Sequence, residues 1–203
     1  SSAARGIWAH SAILVDPDTE RTLGLVAQHR WIRDPDEHGK KHERRTRSYE
    51  EKESFKWQRT AEEMRERLGP ELMLKVISVC DREADVFAYM ANKRAHDERF
   101  VLRAEYDRNV IEQEEANHLL EVLKTAGSCG VANVELPQRG GRSERAATLR
   151  LTTATVEFKR PRSLGADHPP KLQINVVLAE EQNPPHDDER LKWMLLTTEP
   201  IDT

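Results

Sequence analysis

The stretch Lys75 to Tyr89, KVISVCDREADVFAY, constrains this chain more than any other, because it reads as a strand that ends on a carboxylate and turns into a helix. Val76-Ile77-Ser78-Val79-Cys80 is short, β-branched and uncharged, the pattern of a central strand covered on both faces. Asp81, Arg82, Glu83 and Asp85 then crowd one turn, and Val86, Phe87, Met90 and Ala91 continue with the spacing of a helix. Two roles are open to Asp81. It can cap the helix by accepting a bond from a first-turn amide, with Glu83 and Asp85 offsetting the helix dipole. It can also mark a site, since ligands in open α/β sheets bind at the carboxyl ends of strands.

Around this stretch the chain reads as α/β. Ile7 to Val15 and Thr22 to Trp31 are apolar-rich runs joined by the turn former Asp16-Pro17-Asp18, so a hairpin is expected. A charged connector from Arg33 to Thr46 leads to a helix from about Ser48 to Leu68, where Trp57, Ala61, Met64 and Leu68 share one face and Gly69-Pro70 stops the run. Arg99 to Ala104 is the next strand. A helix between two strands implies a parallel crossover, which sets this strand beside Val76 to Cys80 and ends Arg103 near Asp81. From Asn117 the pattern changes to a short helix, Leu119 to Ala126, and then strand-like runs at Val131 to Leu136, Ala146 to Phe158, Leu172 to Ala179 and Leu191 to Thr197. The expected division is therefore 1–116 as an α/β core and 117–203 as an inserted antiparallel β subdomain.

At 203 residues the chain has room for one domain carrying a large insertion. No apolar run reaches the length of a membrane span, and the first residues lack a basic-then-apolar leader pattern, so a cytoplasmic protein is expected. Cys80 and Cys129 have no second Cys or His at ligand spacing, which favours reduced structural thiols over a disulfide or a zinc site. The net charge of -4 does not mark a nucleic-acid binder. Its distribution is more suggestive: basic residues gather in His29 to Arg47, in Arg139, Arg142, Arg145 and Arg150, and in Lys159, Arg160 and Arg162, three clusters compatible with a polyanion partner.

Several ordered blocks resemble the DDE transposases of the insertion-sequence-four group, the group of the Tn-five transposase. They are Glu51-Lys52-Glu53-Ser54 with Lys56-Trp57, Cys80 to Asp85, Ala95 to Arg103, Leu178-Ala179-Glu180-Glu181 with Asn183-Pro184-Pro185, and Leu191-Lys192-Trp193 running into Leu195-Leu196-Thr197 and Glu199-Pro200. The resemblance implies a ribonuclease-H-like mixed sheet with helices, plus an inserted antiparallel β subdomain before the last catalytic helix. It implies that Asp81 is the second carboxylate of an Asp-Asp-Glu triad. Such enzymes cut and join DNA at transposon ends with two divalent ions, one activating the attacking oxygen and one stabilising the leaving oxygen, and Mg2+ or Mn2+ suits carboxylate ligands.

By the same resemblance, Trp193 stacks on a base flipped out near the cleaved end, and Arg103 and Arg108 contact phosphate near the metal. The alternatives are a core tryptophan in a strand and a salt bridge from Arg103 to a neighbouring acid. Lys56 and Trp57 read as a packed helix face. The expected partner is double-stranded DNA carrying terminal inverted repeats, bound by a homodimer in the bacterial cytoplasm and at the nucleoid. The family's first Asp and its Glu helix have no counterpart in these residues, so the first strand and the last catalytic helix are expected to be absent. The chain reads as an internal segment, expected not to cleave DNA alone and to fold poorly or associate through unpaired strand edges. The competing expectations are a DNA-binding remnant without catalysis and a plain β-rich interaction module.

Overall fold

A computed structural model describes residues 6–32, 47–112, 115–138, 143–185 and 190–201. The connector at 33–46, the Gly140-Gly141 break with Arg139 and Arg142, and part of the acidic loop at 186–189 lie outside the described residues. The chain forms two compact units, 1–76 and 77–203.

The first unit is a hairpin with helices. Strands β1 (Trp8–Asp16) and β2 (Arg21–Trp31) pair antiparallel through the expected turn, with register shifts after Ala12 and Leu14. The turn is fastened by Asp16, whose carboxylate accepts from the amide of Asp18 and the hydroxyl of Thr19. Helix α1 spans Lys56–Leu68, starting later than the sequence suggests. The reason is local: Ser48 to Phe55 is taken up by a turn, in which the Glu51 carboxylate accepts from the Ser48 amide, and by a 3-10 turn at Glu53–Phe55 that brings Phe55 edge-on to the buried Tyr49. Gly69 ends α1 at φ 77°, a conformation free of penalty only for glycine, and Pro70 opens the one-turn helix α2 (Pro70–Met73). Val26, Ala27, Met64 and Met73 form the core, with Ala12, Leu14, Leu68 and Val76 packed on it. Trp57 does lie on a packed face, meeting the His10 ring edge-on at 4.4 Å.

The second unit is α/β with a mixed sheet. Strands β3 (Ile77–Cys80) and β4 (Arg99–Arg103) pair in parallel, connected by helix α3 (Phe87–Ala95). Strands β5 (Asn109–Glu112) and β6 (Glu115–His118) form a hairpin leading into helix α4 (Leu119–Thr125). The expected antiparallel meander follows as β7 (Ser128–Leu136), β8 (Arg145–Lys159), β9 (Lys171–Glu181) and β10 (Lys192–Thr197). Among the described residues the strands make one sheet in the order β3-β4-β10-β9-β8-β5-β6, with β7 also on β8.

Backbone hydrogen bonding carries the sheet across residue 116: β10 pairs with β4 and β5 with β8. The compact units divide after Val76. One expectation changes here: β3 is not covered on both faces, since Val79 is 80% exposed and Ile77 39%. Among the described residues β3 lies at the sheet edge and pairs only with β4, and α3 covers only the face that carries Ser78 and Cys80.

Most of the core around β3 and β4 lies on that covered face. Phe100, Leu102 and Leu196 are fully buried there, and so are Leu119 and Val122 of α4. Each such side chain contributes about 1.5–3 kcal/mol by leaving water. On the opposite face Val101, Leu195 and Val177 are only half-buried, whereas Ala179, Leu149 and Thr197 are buried. No described helix is long and apolar enough to cross a membrane.

Candidate functional site

Asp81 follows directly on β3, in extended conformation, and its carboxylate accepts a hydrogen bond from the Glu83 amide at 2.9 Å. It therefore caps a 3-10 turn, Arg82–Ala84, rather than the α-helix itself. The helix begins only at Phe87, because Asp85 leaves helical geometry (φ -70°, ψ 63°). The capping role is thus met in modified form, and it occupies only one edge of the Asp81 carboxylate. The residue is exposed, with its second oxygen free for a further partner.

Asp85 explains the interruption. Its buried carboxylate accepts from the amides of Glu105 and Tyr106 at 2.9 and 3.3 Å, and from Arg108 Nε and Nη2 at 2.9 and 2.6 Å. Arg108 Nη2 also donates to the Asp85 carbonyl, and its guanidinium lies 5.7 and 5.6 Å from the Tyr106 and Phe158 ring centroids. This brace ties the segment after β4 to the start of α3, and so sets the turn that carries Asp81 against the end of β4. A second link, Arg82 to Glu105 at 3.4 Å, is largely exposed and adds little. Arg108, expected from the sequence at phosphate, has its guanidinium committed to Asp85.

Arg103 is placed differently. Cys80 is opposite Leu102, so Arg103 is the next β4 position beside Asp81, and it pairs with Leu195 of β10. It is exposed, and among the described residues no acid holds it. Trp193 lies two residues before Leu195, on the same face, opposite Ala179 of β9. At 36% exposure it is not a core tryptophan. The structure thus gathers Asp81, Arg103 and Trp193 at the carboxyl ends of β3 and β4 on the less covered face, and turns Arg108 away into the brace.

Beneath Asp81, on the covered face, runs a polar network that the sequence pattern does not reveal. Lys93, with no exposed surface, donates to Glu98 at 2.8 Å and to Ser78 Oγ at 3.0 Å. Cys80 Sγ is 3.5 Å from the Tyr89 hydroxyl. Burial pushes the Cys80 thiol above its ordinary range, with the Tyr89 bond opposing, and pushes the Tyr89 phenol well up. Nothing at the level of spacing distinguishes Lys93 and Glu98 from the exposed charges around them. The one available signal is that Lys93 lies three residues after Met90, on its helix face.

The donor set for a metal is thin. Among the described residues, no group of three or more His, Cys, Asp or Glu is arranged to hold an ion. Asp81 is the carboxylate directly at the end of β3, and one of its oxygens is engaged. No family model matches the chain.

Proposed function

We propose that this chain is part of the catalytic core of a cut-and-paste DNA transposase of the DDE type, in which a ribonuclease-H-like arrangement presents Asp81 to a phosphodiester at a transposon end. The observation that carries the reading is the grouping of Asp81, the Arg103 that no described acid holds and the exposed Trp193 at one end and one face of the sheet. In this reading Asp81 holds Mg2+ or Mn2+, Arg103 contacts the phosphate, and Trp193 offers an aromatic face to an unstacked base. The partner is double-stranded DNA with terminal inverted repeats, bound by a homodimer in the bacterial cytoplasm.

Phosphoryl transfer with two ions needs more carboxylates than one. In this reading Asp81 is the one triad carboxylate these residues supply, so the chain alone is expected not to cleave DNA. The occupied Oδ1 of Asp81 favours a second reading, a DNA-binding remnant in which Asp81 serves as a cap while Arg103 and Trp193 stay in use.

Calorimetric titration of Mn2+ in the presence of duplex DNA, on the wild type and Asp81→Ala, separates the two. Heat lost in Asp81→Ala supports the metal-holding role. DNA binding weakened by Arg103→Gln and Trp193→Ala with no Asp81-dependent uptake of Mn2+ supports the remnant. Loss of neither property in any variant refutes both.

A further inference from the structure

On the covered side of the sheet, away from the face that carries Trp193, α4 and strands β8 to β10 enclose a cavity of about 200 Å3. Its walls combine two chemistries. Leu123 and Leu178 are buried and form an apolar floor, while Lys124, Arg150 and Lys192 are exposed at its rim. Buried Thr152 adds a hydroxyl.

The strand register explains why the cations meet. Arg150 of β8, Glu180 of β9 and Lys192 of β10 stand opposite one another in a row, with Thr152 and Leu178 forming the next row on the same face. Among the described residues Glu180 is the only carboxylate in the lining, 3.7 Å from Lys192. Lys124 reaches Glu121 at 2.6 Å. The Arg150 guanidinium makes no ion pair or hydrogen bond with any described residue. The lining therefore carries three cations against one acid, with a guanidinium left over beside an apolar floor and a hydroxyl.

We infer that this cavity is a phosphate site, with Arg150 as its main ligand and Lys124, Lys192 and Thr152 completing the shell. A guanidinium matches two phosphate oxygens in a planar fork, whereas lysines act as point charges around it. The volume is below the roughly 300–1,000 Å3 of sites for whole small molecules, which suits one phosphate group with little attached to it. The same chemistry serves a free phosphate compound or one phosphate of a nucleic-acid backbone. Arg150 and Lys192 point to the face opposite Trp193, so the site does not rest on the role of Asp81.

The test uses the full chain, with inorganic phosphate followed by 31P NMR line broadening and a 20-base-pair duplex followed by fluorescence anisotropy. Arg150→Gln is compared with Arg162→Gln and Arg94→Gln, exposed cations outside the cavity. The expected result is an affinity loss of about tenfold or more in Arg150→Gln for at least one probe, with Arg162→Gln and Arg94→Gln within about twofold of wild type. Loss toward inorganic phosphate identifies a free-phosphate site. Loss toward the duplex alone, with the salt slope of log K reduced by about one, identifies a backbone phosphate. The inference is overturned if neither probe binds in an Arg150-dependent way, or if Arg162→Gln loses as much, which would reduce the effect to diffuse charge.

Discussion

Removing one member of the Lys93–Glu98 pair should cost more than any other single change in the second unit. Lys93 Nζ is fully buried and Glu98 is 2% exposed, so neither charge can recover water when its partner goes. In Lys93→Met the buried Glu98 carboxylate loses its ammonium partner and Ser78 Oγ loses a donor. Breaking such a pair costs about 3–5 kcal/mol, whereas replacing both partners by apolar groups is often neutral or stabilising. The predicted pattern is therefore strongly non-additive: Lys93→Met and Glu98→Gln each lose that amount, and Lys93→Met with Glu98→Leu recovers most of it. Because the chain has two compact units, a global melting curve would mix them. Amide exchange at Phe100 and Leu102 of β4 isolates the relevant one. A loss of about 3–5 kcal/mol lowers protection there between about a hundredfold and a few thousandfold. A cost below about 1 kcal/mol in either single variant, or a double variant as damaged as the singles, would refute the assignment of a desolvated, mutually dependent pair.

Two further outcomes follow from the titratable groups. At neutral pH iodoacetamide should modify the exposed Cys129 quickly and Cys80 far more slowly, since burial raises the Cys80 thiol; equal labelling rates would contradict its packing under α3 against Tyr89. The hydrogen bond from Arg145 holds the Glu181 carboxylate below its ordinary 4.5, so its contribution is present above that value and is lost as the pH falls through the lower folded value; the stability gap between wild type and Glu181→Gln should narrow on acidification, and a constant gap from pH 7 to 3 would argue against the pairing.

The local elements are legible where short-range chemistry decides them. Asp16-Pro17-Asp18 specifies its hairpin turn, Gly69-Pro70 stops α1, and the alternation of Phe100 and Leu102 with Val101 and Arg103 gives the correct faces of β4. The β5–β6 hairpin escapes because Asn109 to His118 is too polar to alternate and contains neither Gly nor Pro. The continuity of the sheet across residue 116 is hidden from the sequence for another reason. A change of period in the sequence marks a change in element type, but strand pairing is non-local, and nothing in Lys192 to Thr197 states that this strand docks on β4 rather than only on β9.

The site shows the same division between what a residue is and what it meets. Asp81 can be placed at a strand end, and Arg103 beside it, from the strand-helix-strand order alone. Arg108 cannot be separated from Arg103 in that way, because both are arginines near the end of one strand. Only the fold reveals that buried Asp85 claims Arg108 while no acid among the described residues holds Arg103. The exposed side of β3 is the most instructive failure. Ile77 and Val79 are apolar enough for a strand covered on both faces, yet among the described residues α3 covers only Ser78 and Cys80. Apolar composition reports what a strand can tolerate burying. Where it sits in the sheet decides whether it does, and at an edge such a strand leaves both a bare face and a row of unpaired backbone groups beside the residue on which the proposed chemistry depends.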